Sequence, residues 1–245
     1  MKRDKGTSTR GRRAPALRAP SKRVATLHAP SKRAPVKRDP EATQAKILDA
    51  ATEEFARHGF DGARIERISG RAGTNDRSLY YYFGSKENLF RVAIERVYLH
   101  MARAERALNV EGMDPRDGVK ALVAFTWNYY LDHPEMITLL NAENLHRAVH
   151  IRRSAVARTF SATQVEVIKG VLDAGAAQGL FRPDLDPIET FLTISALGYF
   201  YLSNRYTLSN YVGVDLMQPE RRARWLEHIS AVVLDHMTAT GPRRA

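Results

Sequence analysis

The chain has 245 residues, no cysteine and a formal net charge of +11. The absence of cysteine excludes disulfide scaffolds, cysteine metal sites and thiol catalysis, and it fits a reducing compartment. No apolar stretch is long enough for a transmembrane helix, and the basic N-terminus lacks the apolar core of a secretory signal. We therefore expect a cytoplasmic protein with no membrane partner.

The positive charge is concentrated in the first 38 residues, which carry thirteen Lys or Arg and a single acid. The remaining 207 residues are nearly neutral, with a net charge of −1. The pentapeptide Ala-Pro-Ser-Lys-Arg occurs at 19–23 and again at 29–33. Such a segment buries too little apolar surface to offset its ordering entropy, so residues 1–40 are predicted to be a disordered basic tail.

After Pro40 the apolar residues recur at helical spacing, and Gly59 is expected to end the first helix. Two short helices follow, the first ending near 72–73 and the second covering about 76–82. A long helix is predicted from 85 to about 108, and further helices near 115–132, 134–147, 151–178, 187–209 and 219–239. No alternating run of apolar and polar residues is long enough for a sheet. These patterns predict an all-α fold.

Residues 62–89 read GARIERISGRAGTNDRSLYYYFGSKENL, in which two short helices are joined by Ala72-Gly73-Thr74. Gly73 supplies the positive φ that a tight turn between helices needs, and Asn75 is a suitable N-cap for the second helix. The pattern predicts a helix-turn-helix, a motif whose second helix enters the major groove of DNA.

The same stretch resembles the TetR family of bacterial transcriptional repressors. The matching residues are Phe55, Gly59, Phe60, Ile65, Ile68, Ala72, Gly73, Leu79, Tyr80, Tyr82, Phe83, Ser85, Lys86, Glu87 and Leu89. The resemblance covers about residues 43–95 and is specific, because spacing and residue types agree together. The family's usual Thr, Ala and Val-Ser are replaced by Ala63, Ser69 and Thr74-Asn75.

The resemblance implies a DNA-binding domain at 41–88 and a ligand-binding and dimerisation domain at 89–240. The apolar residues of the motif are expected to form its core, and the polar ones to contact a double-stranded DNA operator. The candidates are Thr74, Asn75, Arg77, Ser78 and Tyr81 for the groove, Tyr80, Tyr82 and Lys86 for phosphates, and Arg64 in place of the absent Thr. Arg77 suits guanine and Asn75 suits adenine, whereas Asp76 suits the helix N-terminus.

The resemblance also implies a homodimer and a pocket for an unidentified small-molecule effector. The helices near 151–178 and 187–209 are the candidates for dimerisation, the second because it is apolar nearly all round. The candidate pocket residues are polar or aromatic: Trp127, Tyr130, Glu143, Asn144, His146, Arg147, Tyr201 and Asn204. The alternative is that the aromatic residues are ordinary core.

Glu143, His146 and His150 stand at i, i+3 and i+7, which is acceptable spacing for metal ligands on one helix face. Because no further ligand is identifiable, a solvated or interface face is the favoured interpretation, and no metal or cofactor is expected. The sequence contains no P-loop, Gly-x-Ser-x-Gly, His-Glu-x-x-His or dinucleotide fingerprint. We therefore predict that the chain is not an enzyme.

Together these features predict a ligand-responsive transcriptional regulator, a repressor that binds an inverted-repeat operator as a homodimer and is associated with the bacterial nucleoid. The alternative is an architectural DNA-binding protein of low specificity, dominated by the basic tail. The tail has two interpretations of its own. It is either an arm that raises affinity for the DNA backbone by counterion release, or an idle disordered extension.

Overall fold

The computed structural model describes residues 39–152 and 154–238. Apart from an isolated β-bridge between Phe181 and Thr238, the regular structure of these residues is helical, which confirms the all-α prediction. All but the last two residues of the predicted tail, 1–40, lie outside the described ranges. No helix within those ranges is long and apolar enough to cross a membrane.

Helix starts in this part of the chain follow the capping rules. Side-chain oxygens of Asp39, Asn75, Ser85, Asp114, Ser154 and Asp186 accept hydrogen bonds from backbone N–H groups of the first turn. The helices are α1 (Pro40–Gly62), α2 (Ile65–Arg71), α3 (Asp76–Phe83), α4 (Lys86–Arg106), α5 (Pro115–Asp132), α6 (Pro134–Leu145), α7 (Ala155–Ala177), α8 (Pro187–Ser203), α9 (Arg205–Val212) and α10 (Pro219–Met237).

Three predicted helix boundaries differ from the structure. The helix expected over 134–147 ends at Leu145, and the chain then turns through residues with positive φ, Arg147 at 55° and Ala148 at 57°. The helix expected from 151 begins at Ala155, because Ser154 caps it. The helix expected over 187–209 divides at Asn204 into α8 and α9.

The three N-terminal helices enclose a small core with the start of α4. Ile47 and Phe55 on α1, Ile68 on α2, Leu79 on α3 and Leu89 on α4 are all fully buried. Gly59 has φ 65° and ψ −177°, which interrupts α1 near its end as the sequence predicts. This packing holds α2 and α3 against α1 and fixes the direction in which the polar face of α3 points.

The remaining helices form the larger part of the fold. α5 packs against α8 and α10, and α7 packs against α4 and α8. Trp127 on α5 meets the ring of Tyr201 on α8 edge-on at 5.3 Å, and Tyr201 stacks on Trp225 of α10 at 5.0 Å. The single helix α4 runs through the proposed domain boundary at residue 88 and so links the two parts covalently.

Candidate nucleic-acid interface and effector cavity

The turn between α2 and α3 has the geometry of a helix-turn-helix. Gly73 adopts φ +65°, as the sequence predicts. Asn75 Oδ1 accepts a hydrogen bond from the backbone N–H of Ser78 at 2.9 Å, which confirms its role as N-cap. Ser69 on α2 donates a hydrogen bond to Asp76, in the first turn of α3. These contacts set the position of α3 relative to α2.

A buried carboxylate anchors α2 to α1. Glu54 is fully buried, and its Oε1 lies 2.5 Å from a guanidinium nitrogen of Arg67 and 3.1 Å from the backbone nitrogen of Arg64. Burial raises the pKa of Glu54, but the hydrogen bonds and positive charge of Arg67 and the Arg64 N–H outweigh it, so the pKa lies below its usual value. The ionised carboxylate therefore holds the start of α2 in place.

One face of α3 is buried and the opposite face is exposed. Leu79 and Phe83 are buried against the core. On the other face, Arg77 is exposed, Tyr81 is 82% exposed and Tyr80 is 48% exposed. An arginine and two tyrosines exposed together on one short helix supply hydrogen-bond donors that suit a nucleic-acid surface.

The other candidate DNA contacts border this face. Thr74, Ser78 and Tyr82 are half-buried, and Asn75 is exposed although its side-chain oxygen is engaged in the cap. Arg64 is exposed at the N-cap position of α2. Lys86 begins α4, and its Nζ lies 4.8 Å from the centre of the Phe60 ring. The structure therefore carries all nine candidates on α2, α3, their flanks and the first residue of α4.

The end of α6 contacts the N-terminal helices through a buried pair of side chains, Glu143 and His150. Glu143 is 2% exposed, and one of its carboxylate oxygens lies 2.6 Å from His150 Nδ1. The other accepts from the backbone N–H groups of His150 at 2.8 Å and Ile151 at 3.0 Å. The His150 ring packs against Phe60 of α1 at 4.5 Å and Phe90 of α4 at 5.0 Å.

The prediction that Glu143, His146 and His150 share one helix face is wrong, and so is the interpretation of that face as solvated. α6 ends at Leu145, so the three residues do not share one helix, and Glu143 and His150 are buried against each other. His146 instead faces Asp61, with 3.4 Å between Nε2 and Oδ2. In the described residues no group of three or more His, Cys, Asp or Glu is arranged to hold a metal ion.

A cavity of about 310 Å³ lies among α4, α5, α6, α7 and α8. Its walls are aromatic, apolar or uncharged and polar. The lining residues are Tyr98, Met101, Tyr130, Met136, Leu140, Asn144, Phe160, Ser161, Gln164, Phe191, Leu192, Ser195, Ala196 and Tyr199. Larger surface grooves occur elsewhere, but this one is set between the helices of the larger part of the fold.

Of the eight pocket residues predicted from the sequence, the structure places Tyr130 and Asn144 in the wall of this cavity. Trp127 and Tyr201 instead pack against each other in the core, and Glu143 pairs with His150. The other three also lie outside the lining: His146 near Asp61, Arg147 in the turn after α6, and Asn204 at the junction of α8 and α9.

Sequence reasoning missed the polar residue most deeply buried in the cavity wall. Gln164 is 2% exposed and lies one turn from Phe160 and one turn from Ile168, on the apolar face of α7. It approaches Glu105 on α4. Burial raises the pKa of Glu105 to about 6, and a hydrogen bond from Gln164 acts in the opposite direction. A polar side chain inside an apolar helical stripe is the signal that marks this position.

The geometry defines a class of protein: a helix-turn-helix domain whose second helix has an exposed polar face, joined to a larger helical domain that contains a cavity. Comparison with known proteins agrees. Residues 47–93 match the family model described as bacterial regulatory proteins, tetR family. Residues 115–233 match the model of a tetracyclin repressor-like C-terminal domain.

Relatives and solved structures extend this match. The HTH-type transcriptional repressor NicS of Pseudomonas putida is 45% identical over 194 residues, which are 79% of this chain and 92% of that protein. The repressor SCO4008 of Streptomyces coelicolor is 34% identical over 60% of this chain and 74% of its own. A TetR family regulator from Marinobacter aquaeolei VT8 superposes with a TM-score of 0.62 at 18% identity, covering 82% of this chain and 97% of its own, which bears on the fold alone.

The chain therefore belongs to the TetR family of bacterial regulatory proteins, and it is a DNA-binding transcriptional regulator. This confirms the resemblance and the class of function predicted from the sequence. The family is one of regulators and not of enzymes.

Proposed function

We propose that the protein is a homodimeric repressor that binds an inverted-repeat operator through α3 and is released from it by a small-molecule effector. The observation that carries this proposal is the exposed face of α3, where Arg77 and Tyr81 project from a helix held rigidly by its buried side. Two relatives with 45% and 34% identity are named as transcriptional repressors, which supports the direction of regulation. We place the activity in the cytoplasm, on the nucleoid.

Within this interface, Arg77 is the main candidate for base readout, since an exposed guanidinium can pair with both acceptors of guanine in the major groove. Thr74, Ser78 and Tyr81 contact the groove beside it. Asn75 contributes less to base readout than its residue type suggests, because its oxygen already accepts from Ser78. Tyr80, Tyr82, Lys86 and Arg64 contact phosphates and fix position rather than sequence.

Fluorescence anisotropy with labelled DNA from upstream of the gene tests this assignment. Arg77→Ala should cost about 1–3 kcal/mol on the operator and much less on random DNA, so that the specificity ratio falls. The matched control is Arg158→Ala, which removes an exposed arginine from α7. Equal losses for the two variants, or an equal loss on both DNAs, would remove Arg77 from base readout.

A row of exposed apolar residues on α8 supports dimerisation. Ile188, Leu192, Ala196 and Phe200 recur every four residues, and the three large ones are 55%, 56% and 59% exposed. Val232 on α10 is 40% exposed. Because this much apolar surface on one helix marks an interaction site, we propose that the homodimer forms through α8 and α10. The sequence predicted dimerisation through the helices near 151–178 and 187–209. We keep α8 as a dimer helix but propose α10 in place of the helix near 151–178, because the exposed residues of that helix are small or polar.

Substitution of Phe200 by Asp should convert the dimer to a monomer in light scattering, because it places a charge within the proposed apolar contact. Leu145→Asp is the control, since Leu145 is 83% exposed but lies at the end of α6, outside the row. A Phe200→Asp protein that remains dimeric would place the dimer contact elsewhere.

We propose that effector binding in the cavity is coupled to DNA binding through α4 and α6. Met136 and Leu140 of α6 line the cavity, while Glu143, less than one turn further on, pairs with the histidine that packs against Phe60. A ligand that binds better when these helices shift would favour a dimer whose two α3 helices no longer match successive grooves, roughly 34–36 Å apart. A compound that raises Tm but leaves operator affinity unchanged would contradict the coupling.

A further inference from the structure

The cavity presents a buried acceptor that the protein itself does not pair. Gln164 lines the cavity and is 2% exposed, and its Oε1 has no hydrogen-bond partner within the described part of the chain. Among the described residues, the only other buried side-chain oxygen near it without a partner belongs to the neighbouring carboxyl of Glu105, which is itself an acceptor when ionised. The carbonyl oxygen of Gln164 is therefore left for a ligand in the cavity. A buried acceptor of this kind favours a molecule that carries an N–H or O–H donor.

The rest of the wall selects against charge. Among the lining side chains, all of which lie in the described ranges, none is Asp, Glu, Lys, Arg or His. The polar groups are the amides of Asn144 and Gln164 and the hydroxyls of serines and tyrosines. An ionised ligand would lose part of its hydration in this cavity without meeting an opposite charge on its wall, which is costly.

The aromatic residues favour a flat ligand, and the volume limits its size. Tyr98 and Phe160 stack in parallel at 4.9 Å, and Tyr130, Phe191 and Tyr199 add further rings to the wall. A volume of about 310 Å³ lies at the lower end of small-molecule cavities, so one or two fused rings fill it.

Building on the proposed effector role of this cavity, we propose that its ligand is a small, uncharged aromatic molecule of one or two rings that donates a hydrogen bond from N–H or O–H to Gln164 Oε1. The proposal therefore names the chemical class of the effector and the residue that selects it.

Three probes share the indole ring: indole, 1-methylindole and indole-3-carboxylate. Comparing them separates the need for an N–H donor from the exclusion of charge. Titration calorimetry on the full chain should show saturable binding of indole. Binding of 1-methylindole should be about tenfold weaker or more, since it leaves Gln164 Oε1 unpaired. The carboxylate should also bind more weakly, because the cavity offers no cation.

Methyl NMR of ¹³C-methionine reports where the probes bind. Met101 and Met136 line the cavity, whereas Met217 and Met237 do not, so indole should shift the first pair of signals and leave the second pair in place. The variant Gln164→Met should remove the difference in affinity between indole and 1-methylindole. Gln178→Met is the matched control, because Gln178 is an exposed residue that follows the same helix.

The proposal is overturned if the unmodified protein binds indole and 1-methylindole equally, if the carboxylate binds as tightly as indole, or if indole shows no saturable binding up to its solubility limit. These comparisons need no variant and stand even if Gln164→Met fails to fold. They also need no DNA. A result that supports the ligand class therefore remains valid if operator release, and with it the proposed function, fails its own test.

Discussion

Replacing Glu143 by Ala is the most informative single perturbation of this fold. The carboxylate accepts three hydrogen bonds, from the His150 ring and from the backbone N–H groups of His150 and Ile151, and the side chain is 2% exposed. Its removal breaks a buried carboxylate–imidazole hydrogen bond and leaves two backbone donors without a partner. We expect a loss of about 3–5 kcal/mol in the free energy of unfolding. At roughly 2–4 °C per kcal/mol for a domain of this size, Tm falls by about 10 °C.

The control variant for this prediction is Glu135→Ala. Glu135 lies in the first turn of α6, 3.1 Å from His133, but both side chains are about one-third exposed. Such a pair contributes about 0–1 kcal/mol. Denaturant unfolding of both variants, with equal m-values, measures the contrast directly. Similar small losses for the two would refute the argument that the Glu143 pair holds the end of α6 against the N-terminal helices.

Three further predictions concern other parts of the chain. Glu54→Gln should cost about 1.5–3 kcal/mol near neutral pH. Because the folded-state pKa of Glu54 is lowered, its contribution to stability is present above the unfolded value near 4.5 and is lost as the pH falls below that value. The free energies of unfolding of variant and parent should therefore converge in acid. A difference that stays constant with pH would contradict this. Gly175→Ala should destabilise by about 1–3 kcal/mol in the same assay, because a Cβ would overlap the fully buried Phe181 ring; an unchanged Tm would show that the ring can move. Deleting residues 1–39 should weaken binding to all DNA sequences alike and flatten the dependence of affinity on salt, whereas an unchanged slope would make the tail idle.

The helix-turn-helix was predictable from the sequence because its determinants are local. The positive φ of Gly73, the cap at Asn75 and the apolar face of α3 depend on residues within one or two turns of each other. The family pattern added the register in which Arg77 and Tyr81 face outward. Which of these residues touches DNA is still a prediction, since it depends on the docked geometry.

The cavity was predictable only in part because it depends on contacts between distant helices. An aromatic side chain at helical spacing suits a core or a pocket equally, and Trp127 and Tyr201 turned out to pack on each other. The spacing of Glu143 and His150 predicted a shared helix face. That prediction failed because residue spacing alone does not show that α6 ends at Leu145, between the two residues. The break at Asn204 was hidden for a similar reason, since the apolar pattern of α8 continues past it.

The central claim is that two copies of this chain bind a symmetric DNA site through α3, and a hydroxyl-radical footprint on the DNA upstream of the gene tests it most directly. We predict two protected half-sites in inverted repeat, one helical turn or a small multiple of it apart, with a mass of two chains or a multiple of two per site. Uniform protection without a repeat, together with a single chain per site, would contradict the account.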